Sequence, residues 1–77
     1  MDEKLKKNLI AEHRKVLVGL LREEGYCCTL LQNKSIVFYG GSPTQEEFDK
    51  INYASFLIVR DEEKKNGLEI ELFDLIG

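Results

Sequence analysis

Three groups of residues could do chemistry in this chain, and the first is the loop Gly40-Gly41-Ser42-Pro43-Thr44. It follows an apolar run and precedes a helical pattern, which is the plan of a phosphate-binding loop. Glycines let the backbone turn its amides toward an anion, and a helix N-terminus behind them adds positive potential and unpaired N–H groups. Gly40, Gly41, Ser42 and Thr44 are therefore the candidate anion-binding residues. Two features count against them. The P-loop lysine and the G-x-G-x-x-G of a dinucleotide fold are both missing. Glu46 and Glu47 also stand in the first turn, with Asp49 close behind, where they complement the helix dipole and repel a phosphate. A capped turn is the better reading, with Ser42 as N-cap, Pro43 at the first helical position and Gln45 three residues after the cap.

The second group is His13 with Cys27 and Cys28. His13 is the one side chain whose ordinary pKa lies near neutrality, but a general base needs an orienting partner and a substrate or nucleophile within reach. Glu12, its neighbour, lies about 100° round a helix and does not serve. A histidine at the margin of the apolar stripe, shielding the core, explains it better. Adjacent cysteines on a strand point to opposite faces and do not bridge each other. Two cysteines and one histidine are also too few for a disulfide framework or a four-ligand zinc site. Thiols in a strand interior are buried and unreactive, as expected of a reducing compartment. The sequence thus implies no catalytic residue, metal or cofactor.

The third group is acidic. Glu69 and Glu71 project from one strand face about 6.8 Å apart, with Asp61, Glu62, Glu63 and Asp74 nearby. They could dock a basic partner, although a charged edge strand protected from aggregation explains the same residues. Lys4, Lys6 and Lys7 are interleaved with Asp2, Glu3 and Glu12, which suits a solvated helix face. Residues 43 to 77 carry four Lys/Arg against nine Asp/Glu, and the whole chain has a net charge of −3. That balance argues against nucleic acid as a partner.

Elements must position these groups. With 43% hydrophobic and 32% charged residues, the 77-residue chain has the apolar content of a folding domain. It reads as one α+β domain over residues 1–77. From Lys4 to Glu24, apolar residues recur at three- and four-residue steps as a single helical stripe, and Gly25 sits where a left-handed cap is wanted. Tyr26 to Gln32 and Ser35 to Tyr39 read as a hairpin across Asn33-Lys34. A short helix follows from Ser42 to about Ile51. Tyr53 to Arg60, apolar on both faces, suits a central strand, and Leu68 to Leu72 alternates like a half-exposed one. Asn66-Gly67 between them suggests a second hairpin. Gly25 to Leu31 can even be laid over Asn52 to Ile58, a weak hint of a tandem αββ unit.

The expected architecture is a two-layer sandwich in the order αββαββ, with a four-stranded antiparallel sheet and two helices mainly on one face. Such helices leave one sheet face bare, with Leu57, Val59, Val37, Tyr39 and Phe73 at least partly on it. Exposed apolar patches of that kind mark partner surfaces. The expected function is a small non-enzymatic interaction module that self-associates as a homodimer through a sheet face or edge strand. Leu57, Val59, Tyr39, Phe73, Glu69 and Glu71 are its candidate interaction residues. The alternative is an acidic regulator or inhibitor that binds a basic protein surface through the second hairpin. An anion-binding domain built on the glycine loop ranks lower. No stretch is apolar enough to span a bilayer and the N-terminus opens with charges, so the expected setting is cytoplasmic, away from membranes.

Overall fold

The structure, a computed structural model, describes residues 2–75. Its first element, α1 (Glu3–Glu23), starts at Asp2, whose carboxylate accepts from the Lys4 amide. Leu9, Leu17, Val18 and Leu21 are buried along its stripe. Burying each such side chain stabilises by ~1.5–3 kcal/mol. The helix ends as the sequence indicates. Gly25 takes a φ of 97° and its amide donates to the Arg22 carbonyl, while the Tyr26 amide reaches back to Leu21. This pair of bonds is the Schellman arrangement, which satisfies carbonyls that a helix end leaves free.

The hairpin pairs β1 (Cys27–Leu30) with β2 (Ile36–Tyr39), antiparallel, with Cys28 opposite Phe38 and Leu30 opposite Ile36. These four side chains share the face that packs on Leu17, Val18 and Leu21. Cys27, Thr29, Val37 and Tyr39 take the opposite face. At the turn, the Lys34 amide donates to the Leu31 carbonyl and the Leu31 amide to the Ser35 carbonyl. Lys34 itself sits at a φ of 72°, as the last residue of a three-residue loop requires.

The second half overturns the four-stranded sheet. Residues 45–65 form one helix, α2 (Gln45–Lys65), followed by an irregular segment and a short 3-10 helix, η1 (Leu72–Leu75). Among the described residues the sheet has only the two strands of the hairpin. The expected third strand therefore lies in the middle of α2, and so does Asn52 to Ile58, the stretch that hinted at a tandem αββ unit. The reason is visible in the spacing. Phe48, Ile51, Asn52, Ser55, Phe56 and Val59 fall at three- and four-residue steps, which makes a helical stripe with two polar members. No glycine or proline interrupts the chain from Thr44 to Asn66, and the run Asp61 to Lys65 is rich in good helix formers.

Both ends of α2 differ from expectation too. Thr44, not Ser42, is the N-cap, and its Oγ1 accepts from the Glu47 amide, so Pro43 stays outside the helix. Asn66-Gly67 is not a hairpin turn. Gly67 takes a φ of 81°, its amide donates to Lys64, and the Leu68 amide donates to Glu63, repeating the cap seen at Gly25.

The two helices run antiparallel. Leu9 of α1 packs with Phe56 and Val59 of α2, and η1 closes this cluster with Ile70 and Leu75. Further along, Leu17 and Leu21 pack with Phe48, Ile51 and the hairpin. Among the described residues no helix is long and apolar enough to cross a membrane.

Candidate functional site

His13 lies one turn after Leu9 and one turn before Leu17, between the two apolar clusters, and is only 1% exposed. It is not at the margin of the stripe but at its centre. A buried imidazole must satisfy both nitrogens. The Arg14 guanidinium donates to Nδ1 at 2.8 Å. On the other side Nε2 lies 2.9 Å from Ser55 Oγ and 3.3 Å from the Asn52 carbonyl, and the Ser55 hydroxyl donates to that carbonyl at 2.7 Å. Arginine only donates, so Nδ1 accepts and the neutral ring carries its proton on Nε2. Burial holds the His13 pKa below the ordinary 6.5; the Asn52 carbonyl opposes that shift and the Arg14 charge reinforces it.

This arrangement decides what the Ser55–His13 pair can do. A nucleophilic serine needs the facing nitrogen to accept its proton. Here Arg14 imposes the opposite tautomer, and Ser55 is 0% exposed. The chemistry available is a fixed polar bridge between α1 and α2. Sequence reasoning misses both Asn52 and Ser55, because Ser55 falls in the segment that reads as a strand, Tyr53 to Arg60, and Asn52 in the junction before it. Their i, i+3 spacing facing His13 is the signal that would have found them.

His13, Arg14 and Asn52 also line a cleft of about 970 Å³ bounded by α1, α2, the hairpin turn and η1. Its charged lining residues are Lys7, Arg14 and Lys34, and its apolar wall includes Ile36, Phe38, Phe48 and Leu72.

The residues proposed from sequence are dispersed. Val59 is buried at 2% exposure in the core and Leu57 is partly buried beside it, whereas Tyr39 (58% exposed) ends β2 and Phe73 (75% exposed) sits on η1. No shared sheet face gathers them, because Leu57 and Val59 belong to α2 and Phe73 to η1. Glu69 and Glu71 are both exposed on either side of buried Ile70, on the irregular segment between α2 and η1 rather than on a strand. Arg60 and Lys64 share their groove with Asp74, which offsets the acidic field there. Gly40, Gly41 and Ser42 form the exposed turn into α2. Thr44 is committed to its cap, and the Glu47 carboxylate accepts from the Tyr26 hydroxyl. Cys27 is exposed, Cys28 is buried, and both are free thiols.

The strand edges differ from each other. The guanidinium of Arg22 straddles the Cys28 carbonyl, with Nε at 3.2 Å and Nη2 at 2.9 Å, and so occupies one outward acceptor on the edge of β1. That carbonyl points away from β2, so in the antiparallel ladder the backbone groups of its partner Phe38, and of Ile36 two residues away, also point outward. No group covers them in the same way among the described residues. The chain matches no protein-family model, no curated protein and no solved structure.

Proposed function

We propose that this chain is a small, non-enzymatic interaction module of the cytoplasm that forms a homodimer through the edge of β2. One observation carries the reading: the Arg22 guanidinium occupies an outward carbonyl of β1, whereas among the described residues no side chain occupies the outward backbone groups of Ile36 and Phe38 on β2. Open edges template pairing with another strand, and proteins that stay monomeric blunt them. In a two-fold antiparallel pairing, Ile36 and Phe38 of one copy exchange backbone hydrogen bonds with Phe38 and Ile36 of the other. Val37 then faces its own counterpart. The result is a four-stranded sheet assembled from two chains, with Tyr39 on its exposed face. The buried Ser55 and the tautomer of His13 support a non-enzymatic role, and the two free thiols suit a reducing setting.

Sedimentation equilibrium tests the pairing. The wild type should be dimeric at high micromolar concentration, and Val37→Lys should be monomeric with an unchanged circular dichroism spectrum. Val37 lies on the sheet face away from the core, so the substitution sets two like charges opposite each other without disturbing the packing. A wild type that stays monomeric, or a Val37→Lys dimer as tight as the wild type, would sink the proposal.

A further inference from the structure

We infer that the cleft beneath β2 binds an amphiphilic organic anion, a carboxylate or phosphate head on an apolar body. Its volume of about 970 Å³ lies at the upper end of the range of small-molecule sites. The charge of its described lining is one-sided: Lys7, Arg14 and Lys34 contribute, and among the described residues no Asp or Glu does. In a chain of net charge −3, this is a local reversal of the overall balance. None of the three cations forms an ion pair with a described residue, although other lysines and Arg60 do.

Two of these cations are held in ways that a solvated charge does not need. Arg14 is anchored through one donor on the neutral ring of His13, so its position is set while its charge stays uncompensated and its other donors are left for a bidentate acceptor. Lys34 occupies the left-handed backbone position that the turn would fill at least cost with glycine or asparagine. A charged side chain there adds an ammonium to the lining of the cleft. Ile36, Phe38, Phe48 and Leu72 supply apolar lining for the body of the ligand. A lining that is both cationic and apolar selects for both properties together. Neither inorganic phosphate nor an uncharged alkyl chain satisfies both.

Titration followed by amide resonances in nitrogen-15 spectra tests the assignment, with octanoate, octyl phosphate, octanol and inorganic phosphate as probes. Octanoate or octyl phosphate should give saturable shifts at Lys7, Arg14 and Lys34 to Phe38, with a dissociation constant in the millimolar range expected for so small a ligand. Whichever binds tighter identifies the head group. Octanol and inorganic phosphate should each bind at least about tenfold more weakly, because each lacks one half of the match. Lys34→Gly should keep the fold and weaken anion binding about fivefold, and Arg14→Gln should weaken it similarly. Repeating the titration on Val37→Lys makes the result independent of association. Equal binding of octanol and octanoate, equal binding of phosphate and octyl phosphate, shifts centred elsewhere, or no saturable shift would each overturn the proposal.

Discussion

His13 is a titratable residue at the centre of the fold. Its ring stands where a leucine would continue the stripe of α1, and it is tolerable there because Arg14, Ser55 and Asn52 satisfy both nitrogens. The same burial makes it sensitive to acid. With its folded pKa below 6.5, the unfolded chain binds the proton more readily, so stability rises with pH between the folded value and 6.5. Its contribution is whole above 6.5 and is lost as pH falls toward the folded pKa. The groups facing it are the Arg14 guanidinium from α1 and the Asn52 carbonyl and Ser55 hydroxyl from α2. The difference in unfolding free energy between wild type and His13→Gln should therefore shrink from about pH 7 to about pH 5, as measured by urea denaturation. A pH-independent difference would show that the fold does not disfavour protonation of His13.

At the level of elements, the two glycine caps explain both what the sequence revealed and what it concealed. Gly25 and Gly67 take the same left-handed conformation and the same pair of hydrogen bonds. Gly25 follows an unbroken apolar stripe, so it was legible as a helix end. Gly67 follows Asn66, and Asn-Gly serves a hairpin turn or a helix cap equally well. Preceded by Tyr53 to Arg60, apolar on nearly every side, it suggested a hairpin. What tipped α2 toward helix were its capping threonine, its uninterrupted run of helix formers and the polar pair Asn52 and Ser55, whose partner is His13, 39 residues away from Asn52. That partner could be found only through tertiary packing. The hairpin of β1 and β2 was legible because its pattern is local. The cleft was not, because Lys34 of the hairpin turn meets Lys7 and Arg14 of α1 only once the chain has folded. Since a Cβ at Gly67 would meet nothing within 4 Å, Gly67→Ala tests the backbone alone. It should cost about 1 kcal/mol in denaturant unfolding with the helical spectrum preserved. A loss below a few tenths would mean that the cap is not held in the left-handed form.

On the scale of the whole molecule, a domain of this size buries little and holds a narrow margin of stability. Here the core is split further, since the polar bridge of His13 and Ser55 stands between its two apolar clusters. A two-stranded hairpin is marginal by itself and gains from added strands. Association through β2 would supply both what the sheet lacks and what the core cannot provide. It follows that stability should depend on protein concentration, because mass action favours the folded dimer over unfolded monomers. Each tenfold rise in concentration should add about 1.4 kcal/mol per mole of dimer, or about half that per chain. For a chain of this length that raises the thermal midpoint by ~3–5 °C. The midpoint of Val37→Lys should stay flat over the same range, because its monomer has nothing left to gain. Scans of both proteins across two decades of concentration distinguish these outcomes, and a wild-type midpoint that does not move would mean that β2 keeps its open edge without a partner.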